Sequence, residues 1–217
     1  MKTQTQNIQI ALMFQNTFTG SFKGVLSSYK EKYPDVLENV IPLPDNFPED
    51  SVPRLEVRHK EKKILVRFAK NRADIITDND TLDSDLFSDF IERILRLGIT
   101  VGRIGYVKKT VYSKIDIAYV TEKMSMIDDS WLDNEILEAS QRINKKGSIK
   151  FGDKEIICNN IASLTLGKDK KAENLALLLE RDMNTLQDTN LGLKDYKEVK
   201  DVVSLLEEGV SETIFNM

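Results

Sequence analysis

Histidine and cysteine, the side chains that most often carry catalysis or bind zinc, each occur once in the chain, as His59 and Cys158. This excludes a zinc cluster of His and Cys ligands, and also a Cys–His pair supported by a second histidine. His59 alternates with Leu55 and Val57, which predicts a strand histidine near a hairpin turn, with a general base as the alternative. No GxGxxG, Walker A, GxSxG or HExxH pattern occurs. The sequence therefore carries no common enzyme signature.

An acidic run from Asp78 to Asp85 superficially resembles a calcium-binding loop. It departs from the EF-hand pattern because Leu82 stands at the fifth ligand position and Asp83 replaces the turn glycine. Acidic residues that lead into a helix also stabilise its N-terminus through capping and the helix dipole. The run therefore predicts a helix start, with a weak divalent-metal site as the alternative.

The sequence Gly102-Arg103-Ile104-Gly105 has the spacing of the GxxG loop of KH domains, which lets the backbone approach phosphates. That loop joins two helices, whereas the residues around Gly102 and Gly105 alternate as in a strand. Glycines inside a strand mark a bulge or a close backbone contact, and this is the prediction here. Phosphate binding is the alternative.

The segment from Arg54 to Arg72 is strongly basic, with eight Lys or Arg residues against two Glu. Such a surface can bind RNA, DNA or an acidic protein, or it can be a solvated hairpin that pairs with the acidic run that follows it. Phe68 is its one aromatic residue, which gives little support for base stacking. The candidate partner- or phosphate-binding residues are Arg54, Arg58, Lys62, Lys63, Arg67 and Arg72.

These cations can act together only if they share a face of the hairpin. Alternation places Arg54 and Arg58 on one face of their strand, and it places Arg67 on the face opposite Val66 and Phe68. The pairing register decides whether the two faces coincide.

Composition limits the wider possibilities. The chain has 217 residues, enough for one large domain or two small ones, and 41% hydrophobic residues, enough for a core. Its 31 basic and 35 acidic residues give a net charge of −4, so any attraction to nucleic acid must be local. The polar residues Met1–Asn7 and the single cysteine predict a cytoplasmic protein, and the short apolar runs predict no membrane segment.

The elements that position these residues centre on a helix predicted from Asp83 to Leu97. Its apolar residues recur at helical spacing, acidic residues crowd its first turns, and Gly98 is a left-handed cap. The rest of the first half is predicted from alternation, turn residues and prolines. It consists of a strand at Ile8–Phe14, a helix from Phe22 to Tyr33, a loop from Val40 to Pro53, strands at Leu55–His59, Ile64–Phe68 and Asp74–Thr77, and a turn at Lys60–Lys63.

The second half is predicted in the same way, with its first two strands joined through Lys108–Thr110. A helix capped by Ser130, with an inner face at Leu132, Ile136, Leu137, Ser140 and Ile143, ends at Lys145–Gly147. The strands are Ile99–Val107, Ser113–Val120, Ser148–Phe151, Lys154–Leu166 and Asn174–Asp182, with turns at Gly152–Asp153 and Gly167–Asp169. A last helix, Lys194 to about Phe215, buries Tyr196, Val199, Val203, Leu206 and Val210.

This order predicts an α+β fold of two successive β-α-β-β-β-α-like units, with antiparallel sheets side by side or joined and helices packed on one side. The units are residues 1–98 and 99–217, without a linker between them. The duplication is one of element order, because no residue-level identity links the halves.

Four features carry a resemblance to a known family: the strand Ile8–Phe14, Tyr33–Pro34 at the end of the first helix, the segment Leu178–Met183, and a terminal helix ending at Phe215. In these the chain resembles a sporadically distributed family of uncharacterised bacterial proteins, often found near mobile elements. The resemblance implies a bacterial cytoplasmic protein and brings no catalytic residues. The two units also resemble the layout of the TATA-binding protein, although the net charge and the lack of matched phenylalanine pairs argue against minor-groove binding.

Together these features predict a non-enzymatic binding or interaction protein without a cofactor. Its partner is expected to be a protein or, through the basic segment, a nucleic acid. A carboxylate- and metal-dependent enzyme is the remaining alternative, because Asp and Glu are the abundant acid–base groups. Strand edges, and Val202 and Leu205 beside the buried stripe of the last helix, predict a homodimer.

Overall fold

The protein folds around one antiparallel sheet, as seen in a computed structural model that describes residues 2–41, 43, 47, 50–79, 81–113, 115, 138–168, 175–186 and 188–211. The strands described are β1 (Lys2–Phe14), β2 (Leu37–Val40), β3 (Leu55–His59), β4 (Ile64–Phe68), β5 (Arg72–Thr77), β6 (Val101–Ser113), β7 (Glu138–Phe151), β8 (Lys154–Lys168) and β9 (Leu175–Thr185). Their order across the sheet is β2-β3-β4-β5-β1-β6-β9-β8-β7. The described helices are α1 (Phe22–Lys32), α2 (Ser84–Arg96) and α3 (Tyr196–Ser211). The α+β class is confirmed.

The core lies between one face of this sheet and the described helices. Strand alternation turns Ile8, Ile10 and Leu12 of β1 inward, and all three are fully buried. The same core cluster includes apolar residues from each of the three helices. A second, smaller cluster lies further along the long strands and includes Leu164 and Leu179, which are direct cross-strand partners. The opposite face of the sheet, here called the open face, carries the remaining alternate residues of each strand.

The helix at the centre of the sequence forms as predicted because both of its ends are encoded locally. Asp83 is the N-cap, and its side chain accepts a hydrogen bond from the amide of Leu86 at 2.9 Å. Gly98, just after the helix, has a φ of 76°, a left-handed conformation that glycine adopts without a steric penalty. Asp83 therefore caps the helix, as predicted.

The predicted turn at Lys108–Thr110 is wrong, because β6 runs through it without interruption. Lys108 pairs with Ile8 on one side and with Arg181 on the other. Lys109 is an ion-pair partner of Glu180 at 2.6 Å. Pairing on both sides holds these polar residues in a strand that local sequence does not indicate. The predicted strand Ser113–Val120 falls almost wholly outside the described residues.

The predicted helix from Ser130 to Lys145 is wrong where the structure describes it, because residues 138–144 belong to β7. The residues before 138 lie outside the described part. Ile143 fits a helical spacing with Ser140, but it also fits the two-residue period that pairs β7 with β8 along its whole length. Lys145–Gly147, predicted to end a helix, lies inside this strand.

Two smaller differences concern strand ends. The short strand β2 was not predicted. Its four residues pair with β3, and Glu38 forms an ion pair with Lys30 of α1, so its conformation depends on residues distant in sequence. Gly167 and Lys168, predicted as a turn, are the last residues of β8, whereas Gly152 does occupy a turn, with a φ of 58°. The first half therefore has one strand more than the predicted β-α-β-β-β-α order. In the second half, most residues between β6 and β7 lie outside the described part, so the predicted order is not confirmed there.

The two halves share the one sheet, because β1 pairs with β5 on one side and with β6 on the other. In α3, Val199, Val203, Leu206 and Val210 are buried as predicted. Val202, predicted to be surplus apolar surface, is fully buried as well, and Leu205 packs against the core. That reason for a homodimer is therefore wrong, and self-association stays a prediction. No helix among the described residues is long and apolar enough to span a membrane.

Candidate functional site at the end of the β3–β4 hairpin

Two depressions adjoin the turn between β3 and β4, and both are lined by His59 and Lys60. The larger has a volume of about 410 Å³ and lies between this turn and the end of α1. The smaller has a volume of about 290 Å³ and extends to Asp78 beyond β5. The lining of the larger depression is Lys32, Tyr33, Pro34, Asp35, Val36, His59, Lys60, Glu61 and Lys62, and that of the smaller is Arg58, His59, Lys60, Lys63, Ile64, Leu65, Ile76 and Asp78.

His59, the last residue of β3, is nearly buried, with 7% of its surface exposed. Its Nε2 forms a hydrogen bond with the hydroxyl of Tyr29 at 3.0 Å. Its ring meets the rings of Tyr29 and Tyr33 edge to face, at centroid distances of 5.5 and 5.0 Å. Burial, followed by the positive charge of Lys62, holds the pKa of His59 below its ordinary value of 6.5. The imidazole is therefore neutral at pH 7.

Residues of α1 and α2 hold the rings of Tyr29, Tyr33 and His59 in place. Tyr29 of α1 is fully buried, and the guanidinium of Arg93 in α2 lies 5.2 Å from its ring centre. Asp89 of α2 accepts hydrogen bonds from Arg93 Nε at 2.6 Å and Lys32 Nζ at 2.8 Å. Burial raises the pKa of Asp89, but these bonds outweigh it and hold that pKa below the usual range. Burial also raises the pKa of Tyr29 far above 10, so its hydroxyl stays protonated.

The turn itself is fastened to the segment that leads into α2. Lys62 Nζ lies 2.6 Å from a carboxylate oxygen of Asp83, and the backbone carbonyl of Lys62 accepts a hydrogen bond from Asn79 at 2.9 Å. The hydrogen bond from Lys62 and the backbone amide of Leu86 lower the pKa of Asp83. Lys63 has a φ of 53°, which is a left-handed turn conformation. The end of the hairpin is therefore held in place rather than free.

The smaller depression has three cationic side chains, Arg58, Lys60 and Lys63, against the single carboxylate of Asp78. All three cations are exposed, and none forms an ion pair with a described carboxylate. Asp78 accepts a hydrogen bond from the side-chain amide of Asn7 at 2.9 Å. An anion in this depression would therefore meet an excess of positive charge.

The six candidate cations predicted from sequence are only partly brought together. Arg58 and Arg67 share the open face, because Arg58 pairs with Leu65 and Arg67 pairs with Glu56. Arg54 is buried, with its guanidinium 5.6 Å from the ring centre of Phe47. Three of the others are engaged by carboxylates at 2.6–2.7 Å: Lys62 by Asp83, Arg67 by Glu56 and Arg72 by Asp74. Arg58 and Lys63 line the site described above.

Tyr29, Tyr33 and Lys60 were not predicted to belong to a site. Tyr33 was predicted only as the end of the first helix, and Lys60 only as part of the turn at Lys60–Lys63. The spacing of four between Tyr29 and Tyr33 was the available signal, since it places both rings on one face of a helix. That His59 meets this face could not be read from spacing, because it depends on how α1 packs on the sheet.

The other candidate motifs are structural. Gly102 and Gly105 lie within β6, and a side chain at Gly105 would meet Asn184 and Met13 at 3.5–3.6 Å, as expected for a close strand contact. Cys158 is buried, which raises its pKa to about 11. The described residues contain no group of three or more His, Cys, Asp or Glu residues that could hold a metal ion.

Comparison with known proteins adds nothing to this geometry. No known family model matches the chain, and a search of curated proteins finds no similar sequence.

Proposed function

We propose that this is a binding protein whose site at the end of the β3–β4 hairpin takes a small organic anion. The observation that carries the proposal is the group of Arg58, Lys60 and Lys63 around one depression, which shares His59 with a second depression large enough for a drug-sized molecule. The cationic depression would hold a phosphate or carboxylate group. The larger one, walled by Tyr33 and Val36, would hold the rest of the ligand.

Binding fits this site better than acid–base catalysis by His59. The imidazole already has one nitrogen hydrogen-bonded to Tyr29, and the raised pKa of that hydroxyl makes it a poor proton acceptor or donor near neutral pH. The described residues that line the two depressions include no Ser, Thr or Cys that could act as a nucleophile.

A carboxylate-dependent enzyme is the second candidate, because Asp35 and Glu61 both line the larger depression. Both are exposed at its rim. Thermal unfolding with Mg²⁺ or Mn²⁺ separates the two functions. A rise in melting temperature that is lost in Asp35→Asn/Glu61→Gln favours the enzyme, and no rise favours the binding protein.

The proposed site is tested by NMR titration of the protein with pyrophosphate and with citrate. We expect the amide signals of Arg58–Ile64 to shift, and the affinity to fall about tenfold or more in Arg58→Gln/Lys60→Gln/Lys63→Gln, which corresponds to about 1.4 kcal/mol. The matched control is Arg142→Gln/Lys146→Gln/Lys150→Gln, which removes the same residue types from exposed positions of β7. Equal loss in both variants, or no shift at the hairpin, would contradict the proposal.

The wider setting is also part of the proposal. We also propose, from the sequence features given above, that the protein is bacterial and cytoplasmic and belongs to the family found near mobile elements. The same features suggest a protein partner or a homodimer. An extended nucleic-acid surface on the hairpin is less well supported than its sequence suggests, because Lys62, Arg67 and Arg72 are engaged by carboxylates and Arg54 is buried.

A further inference from the structure

Among the described strands β7 lies at the edge of the sheet, and it presents a line of polar side chains on the open face. β7 is last in the strand order and is paired with β8 along its length. Its odd-numbered residues include the buried Ile149, so its even-numbered residues turn to the open face. These are all exposed: Ser140, Arg142, Asn144, Lys146, Ser148 and Lys150, together called the β7 margin.

No ion pair joins a cation of the β7 margin to a described carboxylate, in contrast to Lys62, Arg67 and Arg72 of the hairpin. Burial raises the pKa of Asp182 on β9, and the positive charge of Arg142 acts against this rise. The register places Ser163 beside Arg142 and Asn159 beside Lys146, so that two of the three cations have neutral neighbours on β8. Glu155 is beside Lys150 without forming an ion pair. The strand as a whole carries four basic residues and one acidic residue, in a chain whose net charge is −4.

We propose that the β7 margin binds the phosphate backbone of duplex nucleic acid. A strand rises about 3.4 Å per residue, so successive cations among Arg142, Lys146 and Lys150 are about 14 Å apart along β7. The distance from the first to the third is about 27 Å, close to the axial length of about eight base pairs of duplex. Ser140, Asn144 and Ser148 alternate with them and supply the neutral donors that commonly bond to phosphate oxygens.

The surroundings favour backbone contact along the edge. The open-face residues of β8 and β9 within the described part include no aromatic side chain, so bases have nothing to stack on. Glu180 and Asp182 turn to the same open face on β9 and would repel phosphates there. A duplex is therefore expected to follow β7 rather than cross the sheet.

Lysines on an edge strand also have a simpler role, since they hinder pairing with strands of other molecules. The two roles make different predictions. Edge protection requires only that neutralised variants self-associate, whereas phosphate binding requires an affinity for duplexes that falls with salt. About three phosphate contacts predict a slope of log K against log salt near −3.

The test is fluorescence anisotropy of the whole protein with a labelled mixed-sequence DNA duplex of about 20 base pairs, from about 50 to 200 mM salt. We expect weak binding with a slope near −3, and a loss of tenfold or more in Arg142→Gln/Lys146→Gln/Lys150→Gln. The variant Arg58→Gln/Lys60→Gln/Lys63→Gln should bind the duplex with less than a threefold change. Circular dichroism and gel filtration check that both variants are folded and not aggregated.

Each other result overturns the inference. No binding at about 50 mM salt removes it, and the hairpin variant losing the affinity instead would return nucleic-acid binding to the hairpin. Tighter binding of a single strand, or equally tight binding of poly-glutamate, would identify a different partner. Because the two variants act as each other's control, failure here leaves the proposed anion site untouched.

Discussion

His59 has a structural role and also lies in the proposed binding site. Its ring fills the contact between α1 and the hairpin, while the same side chain lines both depressions. The imidazole of such a residue is neutral because its surroundings exclude water. Protonating it lowers the stability of the folded protein unless a ligand supplies a compensating negative charge.

We predict that stability falls in mildly acidic solution because of His59. Its folded-state pKa lies below the 6.5 of the unfolded chain, so the unfolded state takes up a proton first as the pH falls. Stability is therefore complete above about pH 6.5 and declines below it, by about 1.4 kcal/mol for each tenfold difference in proton affinity. Urea unfolding at pH 7.5 and 5.5 measures this, in a range above the titration of ordinary carboxylates.

The variant His59→Gln keeps a polar side chain but cannot titrate, so its stability should change less between the two pH values than that of the natural protein. Arg58→Gln is the neighbouring control and should behave like the natural protein. An equal decline in His59→Gln would assign the pH dependence to other groups.

At the scale of elements, the start of α2 connects the fold to the site. Asp83 caps this helix and also holds Lys62 of the hairpin turn. One carboxylate therefore stabilises the helix and positions the turn that lines both depressions.

Two substitutions at Asp83 separate these roles. Asp83→Ala removes the cap and the ion pair, and it should lower the free energy of unfolding by about 1–2 kcal/mol. Asp83→Asn keeps an acceptor of similar capping strength and loses only a partly exposed ion pair, so it should cost less than about 1 kcal/mol. Urea unfolding measures both. A loss in Asp83→Asn as large as in Asp83→Ala would show that the ion pair, not the cap, stabilises this region.

The contrast between α2 and β7 shows what sequence can and cannot reveal here. The ends of α2 were predictable because Asp83 and Gly98 act on the backbone beside them. The conformation of residues 138–144 was not, since Ile143 fits two periods and its partner Ala162 is distant in sequence. For the same reason the paired state of Arg67 and the burial of Arg54 could not be read from charge counts.

For the whole molecule, the central position of β1 joins the two halves. The main core includes Ile10 from the first half and Tyr106 from the second, and these two residues are direct partners across β1 and β6. The predicted division into residues 1–98 and 99–217 stays a prediction, and a shared core implies that the halves unfold together.

We predict that Ile10→Ala, which removes most of a fully buried side chain, lowers the free energy of unfolding by about 2–5 kcal/mol. Native-state hydrogen exchange should show the same loss for the most protected amides of β4 and β9, although β9 does not touch β1. Leu37→Ala, at a position that is 48% exposed, is the control and should change stability by less than about 0.5 kcal/mol. If Ile10→Ala lowers the protection of the β4 amides but not that of the β9 amides, the two halves unfold separately.

The position of β1 between β5 and β6 also affects how the chain folds during synthesis. Ile8 pairs with Thr77 on one side and with Lys108 on the other, so β1 is synthesised long before either neighbour exists. At roughly 5–20 residues per second, the second neighbour follows several seconds to tens of seconds later. During that interval β1 has left the ribosome, but neither of its edges is paired with a neighbouring strand. Nascent chains that stop before β6 are therefore expected to need chaperone protection, a demand that the finished protein does not share.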